Sequence, residues 1–183
     1  MRIVSGKYKG IRINAPKKLP ARPTTDMAKE ALFNILNNSY YFDEITVLDL
    51  FSGIGSISIE FASRGTKEVT SVDVHKKTTH FLNEISDKYD LNLNVINGDV
   101  YRFLEKNTKQ YDVIFADPPY DFSQEKFEKI IDSVFEKKAI TKRGMLIVEH
   151  SKKTNLSNNK YFVKEKKYGG NCFSFFEIKN EIG

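Results

Sequence analysis

Carboxylates recur at or near the ends of four apolar runs in this chain. The first is Asp49-Leu50-Phe51-Ser52-Gly53-Ile54-Gly55, whose small residues allow a backbone to approach a ligand closely. The second is Asp73, 18 residues after Gly55, placed where an acid accepts hydrogen bonds from ribose hydroxyls in nucleoside-binding folds. In the third, Asn97-Gly98-Asp99, the acid is an acceptor suited to an exocyclic amine such as adenine N6, and it equally suits the cap of a following helix. The fourth is Asp117-Pro118-Pro119-Tyr120. Two prolines lack the N–H that a strand ladder needs, so they hold a carboxylate, a carbonyl and an aromatic ring in a rigid turn. The Asp117 carboxylate and the Pro118 carbonyl can both accept from an –NH₂, while Tyr120 can stack on the ring that bears it. Read together, three strand ends bind an adenosine-containing cofactor, and the fourth holds a planar substrate carrying an amine.

Other chemistries find less support. His75, His80 and His150 lack ligand spacing, so no metal is expected. Position 58 is Ser where the dinucleotide fingerprint has its third glycine, which weakens a nicotinamide reading. The single cysteine, Cys172, excludes an internal disulfide framework, fits a reducing compartment such as the cytoplasm, and lies in an apolar run that reads as core. No apolar run approaches the roughly 20 residues that span a bilayer, and the N-terminus carries no secretory hydrophobic segment.

The elements that must position these groups follow from pattern. From Glu44 onward strands and helices alternate: strands at 45–50, 69–74, 93–96, 111–117 and 145–149, with helices after the first four to about Arg64, at 76–89, to about Glu105 and at 124–135. This rhythm predicts a parallel sheet with helices on both faces, the α/β class, whose ligands bind at the carboxyl ends of the strands. Tyr161–Tyr168 and Cys172–Ile178, joined by Gly169-Gly170-Asn171, read as a hairpin that adds an antiparallel edge. Ahead of this core (44–183) stands an extension (1–43): strands at 2–5 and 10–13 around a Gly6-Lys7-Tyr8-Lys9 turn, a proline-rich linker from Asn14 to Pro23, and a helix capped by Thr24-Thr25-Asp26.

Charge is segregated along the chain. Residues 1–22 carry seven Lys/Arg and no acid, residues 23–150 carry 15 basic and 21 acidic residues, and the last 33 carry seven basic and three acidic. An acidic body with basic ends points to a polyanion as partner, and the cations and ring of the first turn suit a nucleic-acid backbone and a base face.

With these residues in view, the chain resembles class I S-adenosylmethionine-dependent methyltransferases acting on exocyclic amines, through its glycine turn, Asp73 and Asp-Pro-Pro-Tyr. Arg2-Ile3-Val4-Ser5-Gly6-Lys7-Tyr8-Lys9-Gly10, Arg22-Pro23-Thr24-Thr25-Asp26 and Glu30-Ala31-Leu32-Phe33-Asn34 are similar to 16S rRNA guanine-N2 methyltransferases of the RsmD type. The resemblance runs from residue 2 to about 178. It implies a Rossmann-like, mostly parallel seven-stranded sheet and S-adenosylmethionine as cofactor, without a metal. Gly53 and Gly55 would line the methionine part, Asp73 the ribose and Asp99 with Val100 the adenine, with Asp49, Phe51 and Val74 also in the cofactor site. Asp117, Pro118, Pro119 and Tyr120 would hold the guanine. Arg2, Lys7, Tyr8, Lys9, Arg12, Arg22, Thr24 and Thr25 would meet the RNA, with 22–26 similar to a loop that closes over the site. The implied reaction is methylation of N2 of one guanine in 16S rRNA, free or in an assembling small subunit, by a monomer. The alternatives are a DNA adenine or cytosine amino-methyltransferase, a non-catalytic RNA-binding protein on the same fold, and, third, a nicotinamide oxidoreductase. The family's motif ends in Phe as well as Tyr, so Tyr120 is a minor departure.

Overall fold

The computed structural model describes residues 1–20 and 24–179. Its strands, β1 (Thr46–Leu50), β2 (Glu68–Asp73), β3 (Leu93–Asn97), β4 (Tyr111–Ala116), β5 (Ile140–Ser151), β6 (Phe162–Tyr168) and β7 (Asn171–Phe176), form one seven-stranded sheet of order β3-β2-β1-β4-β5-β7-β6, and the described residues divide into two compact units, those up to Val100 and those from Tyr101.

The first unit contains α1 (Asp26–Asn37), β1 (Thr46–Leu50), α2 (Ser56–Ser63), β2 (Glu68–Asp73), α3 (Lys76–Tyr89) and β3 (Leu93–Asn97); α4 (Val100–Lys106) begins at its end. β1 and β2 pair in parallel from Thr46↔Glu68 to Leu50↔Val72, and β2 and β3 from Val69↔Leu93 to Asp73↔Asn97. This register brings the carboxyl ends of all three strands level, as the sequence reading requires. α1 starts as expected, with the Thr25 hydroxyl accepting from the Ala28 N–H and Asp26 in the first turn. In α2, Ser56 to Phe61 and Ser63 are all buried. A helix buried on every side must satisfy its polar groups internally, and Ser58, Glu60 and Ser63 all do so.

The N-terminal segment differs from the two strands expected. A single antiparallel bridge, Arg2↔Arg12, survives. Around it the Ile3 N–H donates to Ile11 O (3.0 Å) and the Gly10 N–H to Ile3 O (2.8 Å). The ladder stops because the next donors are taken: the Val4 and Ser5 N–H groups each donate to the Glu60 carboxylate at 3.0 Å. Ile3 and Ile13 then join Ile54, Ile59, Phe81 and Leu82 in one apolar cluster, so this hairpin shares the core of the first unit.

The second unit holds β4 (Tyr111–Ala116), α5 (Gln124–Glu136), β5 (Ile140–Ser151), β6 (Phe162–Tyr168) and β7 (Asn171–Phe176). β4 and β5 are parallel, β5 and β7 antiparallel, and β6 and β7 antiparallel, so the C-terminal hairpin edge forms as expected. β5 is longer than its apolar run, starting at Ile140. Thr141-Lys142-Arg143-Gly144 interrupts the hydrophobic pattern, and the structure accommodates it with a register shift between Tyr111 and Val113. Among the described residues, no helix is long and apolar enough to cross a membrane.

Candidate active site

In the first unit the site is built around the turn between β1 and α2. Phe51, Gly53 and Gly55 all adopt positive φ (59°, 54° and 83°). For Phe51 this left-handed conformation costs about 1–2 kcal/mol, so the surroundings must enforce it. Three backbone donors do so: Ser52 N–H to Val72 O (3.1 Å), Gly55 N–H to Ser52 O (2.8 Å), and Gly53 N–H to the Asp73 carboxylate (2.9 Å). The two glycines serve different ends. A Cβ on Gly53 would meet nothing within 4 Å, so that position faces open space, whereas one on Gly55 would lie 2.3 Å from Leu82 of α3. Gly53 leaves room for a ligand; Gly55 permits close packing of the helices.

Asp73 is only 6% exposed, and both oxygens are engaged. One accepts from Gly53, and the other accepts from the His75 N–H (2.8 Å) and lies 3.0 Å from the His75 ring Nδ1. The Thr78 hydroxyl lies 3.3 Å from that second oxygen, so the acceptor capacity that remains for hydroxyls at the strand end is on the oxygen that accepts from Gly53. The next residue, Val74, is 60% exposed, an apolar side chain presented beside the carboxylate. Asn97, which the sequence offers only as part of the third strand end, holds this loop by donating to the carbonyls of Asp73 (3.1 Å) and Val74 (3.0 Å). Asp99 is exposed, and Val100 is buried at the start of α4.

Asp49 acts from beneath the turn, being 2% exposed. Its carboxylate accepts from both the backbone N–H and the hydroxyl of Ser58, and Ser71 donates to the Ser58 hydroxyl (2.7 Å). Gly55, the N-cap of α2, has no side chain to offer, so a carboxylate from β1 caps the helix instead. Desolvation pushes the Asp49 pKa up to about 7; the Ser58 hydrogen bonds oppose this and the charge of Asp73 adds to it. The Ser58 that departs from the dinucleotide fingerprint is therefore the group that connects α2 to β1.

In the second unit, Asp117 is half-buried and Pro118 buried beyond the end of β4, and Pro119 and Tyr120 are exposed. The Phe122 N–H closes the turn on Pro119 O (3.1 Å). The Tyr120 side chain is 62% exposed yet tethered: its hydroxyl donates to Asn171 Oδ1 (3.1 Å), and Asn171 donates to the buried Glu149 carboxylate (2.7 Å). Asn171, expected only as part of a hairpin turn, thus orients the ring of the proline motif.

Of the residues expected to meet RNA, Arg2, Lys7, Lys9 and Arg12 are exposed, with Arg2 paired to Asp26 (3.0 Å). Tyr8 is less available than its place in the turn implied. It packs edge-on against Tyr89, with ring centroids 5.5 Å apart, and its hydroxyl donates to the Tyr89 carbonyl. Thr24 is buried and Thr25 is occupied as the helix cap; Arg22 lies outside the described residues. A buried ion pair fastens this basic hairpin: Lys29 lies 3.6 Å from Glu60 and donates to Arg2 O (2.6 Å), and Arg64 approaches the other Glu60 oxygen at 3.1 Å. Burial lowers the Lys29 pKa, while Glu60 opposes that shift.

The chain is similar to known proteins over nearly its whole length. The family model described as conserved hypothetical protein 95 matches residues 1–177. Ribosomal RNA small subunit methyltransferase D of Buchnera aphidicola (subsp. Baizongia pistaciae) is 33% identical over 172 residues, covering 91% of this chain and 86% of that protein. The protein of the same name from Haemophilus influenzae is 31% identical over 176 residues, covering 92% and 89%. Among solved structures, a hypothetical protein from Thermus thermophilus superposes with a TM-score of 0.83 at 24% identity, covering 97% of this chain and 99% of that one. A SAM-dependent methyltransferase from Agrobacterium tumefaciens gives 0.64 at 17% identity, covering 82% and 62%. The fold is Rossmann-like and methyltransferase-type, and the chain belongs to the RsmD family of methyltransferases, the family described as conserved hypothetical protein 95.

Proposed function

We propose that this protein transfers the methyl group of S-adenosylmethionine to the exocyclic N2 amine of one guanine in small-subunit ribosomal RNA. The observation that carries the reading is the Gly53 N–H···Asp73 bond, which joins the glycine turn to the strand-end acid beside exposed Val74. An adenosine-containing cofactor fits those residues: open space at Gly53, remaining acceptor capacity on Asp73 for ribose hydroxyls, Val74 as an apolar face for adenine, and Asp99 as acceptor for its amine. S-adenosylmethionine, when bound, supplies a methyl group already activated on a sulfonium.

The protein's own residues then have two tasks. One is to hold the amine in line with the methyl, which can be worth up to about 7–11 kcal/mol when the geometry is right. Asp117 and the Pro118 carbonyl accept from the –NH₂, fix the nitrogen and offset the positive charge that develops on it. Asp117 acts first through its charge, set where positive charge develops on the nitrogen. Tyr120 stacks on the guanine, its ring held by Asn171 and Glu149. The second task is to take the base out of its stack, which costs a few kcal/mol. Backbone contacts from Arg2, Lys7, Lys9, Arg12 and Arg22 offset that cost, and Tyr8, Thr24 and Thr25 support those contacts from the hairpin and the head of α1.

The names of the curated relatives support ribosomal RNA of the small subunit as the substrate class. Nucleoside mass spectrometry of 16S rRNA from cells with and without the gene tests the reading. One N2-methylguanosine is expected to disappear without the gene, and persistence of the same methylguanosine pattern rejects the substrate.

A further inference from the structure

The C-terminal hairpin carries a cluster that the proposed reaction does not use. His150 on β5, Cys172 on β7 and Glu165 on β6 are far apart in sequence, but their ligand atoms all lie within 4.8 Å of one another. Strand register explains the convergence. His150 is directly opposite Cys172, and Glu165 is opposite Ser174, two residues from Cys172 and so on the same face. We propose that His150 Nε2, Cys172 Sγ and the Glu165 carboxylate form a binding site for a zinc-class divalent cation that fastens β5, β6 and β7 together.

Four observations carry this. First, the His150 ring is oriented for it. Nδ1 lies 2.9 Å from the Ser151 carbonyl, which can only accept, so Nδ1 carries the proton and the Nε2 lone pair faces the cluster. Second, Nε2 lies 3.8 Å from a carboxylate oxygen of Glu165, and His150 is only 4% exposed. The Ser174 hydroxyl donates to the Nε2 lone pair (2.7 Å), and a cation in the cluster takes the place of that proton with Glu165 as its counter-charge. Third, the spacing is close to that of a tetrahedral site. Metal–ligand bonds of about 2.0–2.3 Å set ligand atoms about 3.3–3.8 Å apart. The His150–Glu165 separation already matches, and Glu165, on the edge strand with a 27% exposed side chain, is the group free to close the rest. Fourth, an entry path exists: Glu165 also lines an open cavity of about 400 Å³ with Lys152, Asn155 and Lys167, from which water can fill the remaining position. Lys167, 3.8 Å from the other Glu165 oxygen and 67% exposed, can swing out as the ion enters. Binding releases the thiol proton to solvent. A nitrogen, sulfur and oxygen donor set favours zinc over magnesium or calcium.

Cobalt titration of the untagged, chelator-stripped chain tests the site. Because Cys172 is the sole cysteine, any thiolate-to-cobalt charge-transfer band reports on this position alone. One cobalt per chain is expected, with a band that zinc displaces and Cys172→Ser abolishes. Glu165→Gln, at a partly exposed edge position that leaves the fold intact by circular dichroism, is expected to weaken binding at least tenfold. Absence of the band at saturating cobalt overturns the proposal. So does an unchanged cobalt affinity in Glu165→Gln.

Discussion

Replacing Asp49 by Asn isolates how the glycine turn is supported. The folded protein keeps the Asp49 proton until a pH of about 7, whereas an ordinary carboxyl releases it near 3.8. Below about pH 4 the group is protonated in both states and contributes no pH dependence. Between about 4 and 7 the unfolded chain has lost the proton and the folded one has not, so stability falls by about 1.36 kcal/mol per pH unit as pH rises. Across the gap of about three pH units the loss reaches about 4 kcal/mol, and it stays constant above that. An amide preserves the oxygen that accepts from Ser58 and cannot ionise, so Asp49→Asn abolishes this component. Urea unfolding of both proteins at a series of pH values gives the stability difference, in which all other titrating groups cancel. The variant is expected to gain on the parent by about 4 kcal/mol from pH 4 to about 7.5. A difference that is flat with pH refutes the burial argument for Asp49.

Three further outcomes follow from the same geometry. Gly6→Ala places a Cβ 2.0 Å from the Ser63 carbonyl, whereas Gly10→Ala, at nearly the same positive φ (+87° against +86°), meets nothing within 4 Å and carries only the backbone strain of about 1–2 kcal/mol; limited proteolysis should find the N-terminal hairpin released in the first variant and largely protected in the second. Glu60→Ala leaves Lys29 buried without its partner and frees the N–H groups of Val4 and Ser5, so thermal or urea unfolding should show a loss of about 3–5 kcal/mol. Tyr120→Ala removes a stacking surface worth about 1–3 kcal/mol and should raise KM for RNA, while Asn171→Ala, which only loosens the ring, should raise it less; equal effects in steady-state kinetics would contradict the tether.

The strand ends were legible because rigid local chemistry marks them. Asp73 closes β2 and Pro118 lies just beyond β4, as periodicity and missing N–H donors require, and α3 spans the residues its apolar face predicts. What sequence concealed was contact across strands and elements. Ser58 reads as a failed glycine until Asp49 is seen beneath it, and Asn171 reads as a turn residue until Tyr120 is seen against it. The two N-terminal strands that the pattern predicts shrink to one bridge because Glu60, 55 residues away from Ser5, competes for the donors that a ladder would use. β5 starts earlier than its apolar run because its polar Thr141–Gly144 stretch, met by a register shift in the pairing with β4, hides its first residues from any hydrophobic pattern. Spacing along the chain likewise could not bring His150, Glu165 and Cys172 together; only antiparallel register does.

The most direct test of the central claim uses Asp117→Ala with labelled S-adenosylmethionine and small-subunit rRNA particles. The reading predicts that calorimetry finds cofactor affinity retained, because Gly53 and Asp73 are untouched, while methyl transfer to guanine N2 falls by roughly a hundredfold or more, on the order of removing one preorganised charge partner. Near-normal methylation by this variant would contradict the assignment of the Asp-Pro-Pro-Tyr turn as the amine clamp.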